Sequence, residues 1–411
     1  MIVEFSVKNY RSIREKQTIS FEPLKDKTLS QYYIAEISDK ANGKKPLQLL
    51  KIGILYGANA SGKSNFLDAI SYFKKLALAT SNDKNKELDF KPFALDYEKP
   101  SEFEIIFVHN GTKYSYSITY CKKCVIGETM YEFSTVSTER KKLVYTRNTD
   151  TKTQMIELSF GNECKISTDV KKYLEMFTLW NETILSCYSK ISAYIPPLND
   201  MNDWIVNYLS TPINPGMPLS DYTDSLLQEG QISKRDVLKL LQNADFNISD
   251  FEIAKNGKNL SNIYFIHNSE DQDFTLPKED ESSGTMRFYG MAGILYNLCS
   301  KSMFMSIDEL ESSLHPALCK SFLLTFLQSQ KQSQLLIATH NTELLQDKEI
   351  LRKDTLWITD KNSDASTELY SFADFDSSVL RKSTSYYNAY SCGKLGGIPS
   401  PSNDLMFYTE E

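Results

Sequence analysis

Four short segments, far apart in the chain, carry side chains suited to holding a phosphate chain. Gly57-Ala58-Asn59-Ala60-Ser61-Gly62-Lys63-Ser64 fits the pattern GxxxxGK[ST] at every fixed position. Small residues there let successive backbone N–H groups converge on one anion, and a helix starting directly afterwards adds its partial positive charge. On that pattern Gly57, Asn59, Ala60, Ser61, Gly62 and Asn65 are nucleotide-binding candidates. Lys63 is expected to reach the β- and γ-phosphates, and Ser64 to ligate Mg²⁺. MFMSIDE ends an apolar run in Asp308-Glu309. An acid at the end of a buried strand is costly unless it serves a charged partner. Asp308 is therefore the expected metal holder, and Glu309 the residue that polarises an attacking water. LLIATH closes another apolar run with His340, placed to hydrogen-bond a terminal phosphate.

The fourth segment is ESSGTMRFYG, in which Ser282, Ser283 and Gly284 offer hydroxyl and backbone donors. By itself SSGT reads as the N-cap of a helix. The other segments have equally plain readings: a structural glycine turn, two solvated acids, a lone histidine. Context favours chemistry, because the first loop lies between a strand and a helix and the Asp-Glu pair follows the serine loop after one helix. No Asn-Lys-x-Asp motif for guanine is present, so ATP is the expected nucleotide.

The elements that must position these groups follow from periodicity. Ile2–Val7 alternates and QTISFEPL resumes the pattern, which predicts a short hairpin. In LLKIGILYGANASGKSNFLDAISYFKKLAL a buried strand with Ile52, Ile54 and Leu55 precedes a helix. Phe66, Leu67, Ile70, Phe73 and Leu76 share one face of that helix. FEIIFVHNGTKYSYSITY predicts two strands around an Asn110-Gly111 turn, and TMYEFSTVST, KKLVYTR and QMIELSF continue an antiparallel meander. A helical, aromatic-rich stretch follows, broken by IPPLND and TPINPGMPLS, with a helix capped by Ser233 that leads into a strand. The last third alternates: helix 284–299, strand KSMFMSIDE, helix 315–329, strand QLLIATH, helix NTELLQD, strand TLWITDK. This is α/β grammar. One core assembled from both ends of the chain, with the middle inserted, is the expected solution. The expected divisions are an N-terminal lobe at 1–89, a meander at 90–167, a mainly helical insertion at 168–270 and a C-terminal lobe at 271–411.

Composition narrows the classes. The chain has 411 residues, 41% apolar and 24% charged, which suits a globular protein with a sizeable core. No apolar run is long enough for a membrane span or a secretion signal, so the cytoplasm is expected. A net charge of −7 does not point to nucleic acid. Arg140, Lys141, Lys142 and Arg147 cluster, but in a Thr-rich strand pattern that reads as a solvated sheet face. Seven cysteines, an odd number, argue against a disulfide framework. Cys121-Lys-Lys-Cys124 has no second pair to complete a metal site and reads as a strand-end turn.

Together these residues resemble the ABC-type ATPases of recombination-repair and chromosome maintenance, the SMC and RecF kind. VKNYRSI looks like their first strand and turn, in which Arg11 approaches the nucleotide. GANASGKS matches the Walker A loop, SIDELESSLHP the Walker B strand running into the D-loop from Glu311 to Pro316, and THN the switch-histidine segment. ESSGTMRF looks like the signature loop, which in that family caps the γ-phosphate held by the opposite subunit. The resemblance thus implies an ABC-type P-loop head, a Mg²⁺-dependent ATP hydrolase that closes as a head-to-tail dimer or a higher oligomer. No glutamine stands out as the Q-loop, and long coiled-coil arms are lacking, which sets aside chromosome-scale tethering.

A resemblance along nearly the whole chain is closer. KNYRSI, KPFALD, ESSGTMRFYGMAGIL, DELESSLHP, ATHNTELL and the tail YNAYSCGKLGGIP are similar to the bacterial RloA/AbiL-type ATPases of phage-defence and abortive-infection operons. That implies a sensor or regulator of a separate effector, expected to be a nuclease. The chain carries no Toprim nuclease pattern of its own, since Asp360 and Asp364 stand too isolated for an acidic cluster. The middle block, 168–270, is the expected contact surface for a partner or trigger. The alternatives are a RecF-like repair ATPase binding duplex DNA, which the pI of 5.4 does not favour, and a non-hydrolysing scaffold, against which Glu309 argues.

Overall fold

The computed structural model describes residues 1–38, 46–135, 140–244, 246–255, 261–269, 272–347, 350–376, 378–380 and 384–399. Five strands form one sheet in the order Phe304–Asp308, Gln334–Ala338, Ile52–Tyr56, Leu356–Lys361, Thr367–Ser371. The first four run parallel, and the last is antiparallel to its neighbour. Side chains alternate across this sheet: Leu55, Leu336 and Ala338 join the core on one side, and Ile52, Ile54, Leu335 and Ile337 the core on the other. Strands buried on both faces are mostly apolar. The register sets Asp308 beside Ala338 and Ala338 beside Leu55, so three strands end level. Gly57, Thr339-His340 and Asp308-Glu309 therefore emerge along the carboxyl edge, where open α/β sheets bind ligands.

A seven-stranded antiparallel sheet lies across the first. Its order is Ile156–Phe160, Lys141–Thr149, Val125–Phe133, Thr112–Tyr120, Ser101–His109, Ile2–Lys8, Gln17–Ser20. The expected N-terminal hairpin is thus the edge of the meander's own sheet. Asn110 and Gly111 turn the chain with φ of 48° and 70°, as a two-residue hairpin turn requires. Residues 136–138, the end of the expected TMYEFSTVST strand, lie outside the described residues. The helix Lys63–Leu78 sits between the two sheets, with Phe66 and Phe73 edge-on to Phe5 and Phe73 also against Tyr116. Truncating a buried phenylalanine of this kind costs about 3–5 kcal/mol.

The inserted stretch is woven into this core. The helix Pro196–Asn207 stacks Trp204 on Phe107 at 4.0 Å, and residues 208–213 run on as a partner to Phe304–Asp308. After the helices Leu219–Gln228 and Lys234–Asn243 comes a three-stranded sheet, Ile248–Lys255, Ser261–His267 and Phe274–Pro277, whose first strand is the one expected after the Ser233-capped helix. Ser233 caps its helix as expected, accepting from the Asp236 N–H.

Two local expectations need correction. NTELLQD forms a tight 3₁₀ turn, Thr342–Gln346, which Asn341 opens by accepting the Glu343 N–H. Arg147 is not on a solvated face: it is fully buried, pairs with Glu128 at 2.8 Å and donates to the Glu182 and Trp180 carbonyls. Arg140 and Lys141 are exposed as read. Cys121 and Cys124 do form a strand-end turn, closed by the Cys121 N–H on the Cys124 carbonyl. The α/β class, with two terminal lobes, an antiparallel sheet and inserted helices, is the architecture observed. Among the described residues no helix is long and apolar enough to cross a membrane.

Candidate functional site

At the carboxyl edge of the parallel sheet, Asn59, Ala60, Gly62, Lys63, Ser64, Asn65, Asp308, Glu309 and His340 line one cleft of about 360 Å³. Residues from three strand ends and one helix start meet there because the register levels those strands. Lys63 is buried, and its ammonium donates to the Gly57 and Ala58 carbonyls at 2.8 and 3.0 Å. Burial lowers its pKa to about 8, while Asp308, Glu311 and Glu309 pull the other way. Phosphate oxygens are stronger partners for an ammonium than these two carbonyls.

The loop itself is held from outside. Ser61 Oγ shares a hydrogen bond of 2.5 Å with Thr359 Oγ1, and Thr367 Oγ1 donates to the Ser61 carbonyl. Gly62 has φ of 113° and lies so close to Thr367 that a Cβ would collide with that side chain. Only glycine fits there. Gly57 is likewise confined by Thr359 and Ser61, so two glycines of the pattern are required by packing as well as by the turn.

Glu309 follows Asp308 in the left-handed region, with φ of 50°. That conformation is uncommon for a residue with a Cβ and is held here by the Glu309 N–H on the Ala338 carbonyl. It brings Glu309 into the same cleft as Asp308 and His340. Burial and the nearby Lys63 hold the His340 pKa below the ordinary histidine value, which keeps the ring neutral near pH 7. Its backbone N–H donates to Glu311 Oε1 at 2.5 Å, and Thr339 Oγ1 donates to Oε2 at 2.7 Å. Nothing in the local sequence marks this clamp. The resemblance gives Glu311 only the start of the D-loop, and a second acid two residues after Glu309 is the one local signal.

Two sets of expected residues lie apart from the cleft. Arg11 pairs with Asp68 at 2.5 Å and donates to Asn65 Oδ1 at 3.3 Å, so it reaches the cleft wall through Asn65. Ser282 accepts from the Thr285 N–H and caps the helix Ser283–Ser300, while Gly284 sits against the Ser313 carbonyl. Ser282 and Ser283 are exposed, and neither they nor Gly284 is among the cleft residues. The loop's base is firmly set: Glu281 meets His267 at 2.5 Å, and Lys278 and the Tyr289 hydroxyl converge on Asp224 at 2.7 and 2.6 Å.

The donor set fits a triphosphate with a divalent ion. Lys63 and the backbone of Gly57–Ser64 suit phosphate, and Ser64 with Asp308 supplies hard oxygen ligands. Asp360 and Asp364 do not join one another: Asp360 accepts the Gly397 N–H, and Asp364 pairs with Arg14 at 2.9 Å.

The fold defines an α/β protein with N- and C-terminal lobes, an antiparallel sheet and inserted helices. The chain belongs to the family described as "AAA domain, putative AbiEii toxin, Type IV TA system", whose model matches residues 53–159 and 191–346. No curated protein matches it. Among solved structures it is similar to the SMC head domain from Thermotoga maritima, with 13% identity over 90% of this chain and 98% of that one and a TM-score of 0.41. It is also similar to an SMC head bound to the C-terminal winged-helix domain of ScpA, with 14% identity, 90% and 97% covered and a TM-score of 0.43.

Proposed function

We propose that the chain is a Mg²⁺-dependent, ABC-type ATP hydrolase of the RloA/AbiL kind, which dimerises head to tail around ATP and regulates a separate effector, a nuclease, in abortive-infection defence. One observation carries this reading. Lys63, Ser64, Asp308, Glu309 and His340 share a cleft, while the exposed donors Ser282 and Ser283 stand outside it on an anchored base. A second copy can bring its serine loop to the open side, and two copies then complete two sites. The family match supports the defence setting.

Bound Mg²⁺ supplies charge neutralisation at the phosphates, with Ser64 and Asp308 as the residues that would hold it. Lys63 leaves the Gly57 and Ala58 carbonyls for phosphate oxygens. Glu309 accepts the proton of the attacking water, and the neutral His340 ring, positioned by Glu311, donates a hydrogen bond to the terminal phosphate. The inserted helix Leu219–Gln228 is the best candidate for carrying partner contact to the serine loop. Its Thr223 hydroxyl donates to the Tyr289 and Gly290 carbonyls of the helix that the loop caps.

The test is Glu309→Gln in the full chain. Turnover should fall about 10²–10⁴-fold, the usual worth of a general base, and light scattering should find an ATP-bound dimer that wild type forms only transiently. Equal hydrolysis by the two proteins would sink the assignment. ATP-dependent, salt-sensitive affinity for duplex DNA would instead favour a RecF-like repair role.

A further inference from the structure

The turn Cys121-Lys-Lys-Cys124 has no part in the chemistry described so far, yet it places two thiols side by side. It joins the strands Thr112–Tyr120 and Val125–Phe133, whose last pair is Tyr120 with Val125. The Cys121 N–H donates to the Cys124 carbonyl at 2.9 Å, so the two cysteines face each other one step beyond that pair. Residues opposed in this way stand about 4.5–5.5 Å apart at Cα, within the span that a disulfide bridges. The two sulfurs are 3.7 Å apart and share a hydrogen bond. Side-chain rotation closes the remaining gap.

The surroundings divide the roles of the two sulfurs. Cys124 is fully buried, while Cys121 is half-buried beside the exposed Lys122 and Lys123. Donation from the Cys124 thiol holds the Cys121 pKa below the ordinary cysteine value, and the same contact raises that of Cys124. Thiolate is the attacking species in thiol–disulfide exchange, so Cys121 reacts first and Cys124 follows. The neighbouring lysines favour an anionic reagent. The Leu88 N–H donates to the Lys122 carbonyl at 2.8 Å, Lys122 pairs with Glu87 at 3.1 Å, and the Val125 N–H donates to the Trp180 carbonyl at 2.9 Å. The turn is thus fastened both to the segment that follows the helix Lys63–Leu78 and to the inserted stretch.

We propose that Cys121 and Cys124 form a reversible redox site, oxidised by a small anionic disulfide of the glutathione kind. The Cys121 thiolate attacks one sulfur of the reagent, which forms a mixed disulfide and releases one reagent thiolate. Cys124 then gives up its proton to solvent and attacks the Cys121 sulfur, releasing the second reagent thiolate. The protein dithiol loses two electrons, the reagent disulfide gains them, and the two protons end on the released thiols. A bridge across so short a loop restrains the unfolded chain less than a long one does, which suits a sensor better than a brace. This site is independent of the cleft and of its ligand.

The test is peptide mapping of the folded full chain after exposure to excess oxidised glutathione and blocking with an alkylating reagent. Cleavage at glutamate keeps both cysteines on one peptide, between Glu104 and Glu128. That peptide should lose both alkylation sites, gain no glutathione, and recover both sites after dithiothreitol. Cys124→Ser should stop at the mixed disulfide, with one glutathione on Cys121. Cys121→Ser should leave the buried Cys124 unreactive. The wild-type bridge is read without any variant, so it tests the proposal even where a variant fails to fold. A pair that stays reduced while the exposed Cys392 takes up glutathione would overturn the proposal. So would a bridge that forms only in denaturant, or a bound zinc ion that blocks the exchange.

Discussion

The phosphate loop and the serine loop are both small, polar and glycine-bearing, but the protein treats them in opposite ways. At the phosphate loop Ser61 and Lys63 are buried, and the side chains that grip Ser61 arrive from residues 359 and 367. At the serine loop the base is anchored by Glu281–His267 and Lys278–Asp224, but Ser282 and Ser283 face outward. The first has its hydrogen-bond partners within the chain. The second is a rigid mount for donors that lack an acceptor of comparable charge. On the proposed function, the exposed loop serves a second copy's cleft.

The strongest way to break that comparison is complementation. Lys63→Ala and Ser283→Arg should each reduce hydrolysis by about 10²-fold or more, since each removes or blocks a charge-stabilising donor. Mixed in equal amounts, they should recover about a quarter of wild-type sites, because half the dimers are mixed and each mixed dimer has one intact site. No recovery would place both loops in one chain's site or in none.

A smaller effect distinguishes the two sides by pH. Lys63 titrates at about 8 in the free protein, and bound phosphate charge raises that value. ATP affinity should therefore be steady below pH 8 and fall by up to about tenfold per unit as pH rises through 8. Folding has the opposite trend there: the folded value lies below the unfolded 10.5, so Lys63 makes the fold more stable as pH rises from 8 to 10.5. Affinity that stays flat to pH 9.5 would remove Lys63 from the phosphates.

The smallest effect concerns Arg287, one turn into the helix capped by the serine loop. It is buried, burial lowers its pKa, and none of its three side-chain nitrogens has a hydrogen-bond partner among the described residues. Replacing such a group with an apolar one of similar size is often stabilising. Arg287→Met should raise the unfolding midpoint by about one or two degrees. A lower midpoint would mean that the guanidinium already has its counterpart.

What the sequence determined was whatever depends on neighbours along the chain. Gly57–Ser64 needs its glycines within one turn, the apolar run ending in Asp308-Glu309 has to be a buried strand, and Asn110-Gly111 specifies its own hairpin. The α/β class and the three segments that meet in the cleft were legible for that reason. Only the tertiary structure decided what depends on register and on distant packing. Level strand ends bring His340 to Glu309, the Glu311 carboxylate fixes the His340 backbone, and Arg11 turns to Asp68 instead of the cleft. Arg147 looks like a surface charge in its segment, yet it is buried because Glu128 and the 179–182 turn arrive from elsewhere to satisfy it. Periodicity reports which face a residue occupies, but a hydrogen-bond partner hundreds of positions away leaves no trace in the local pattern.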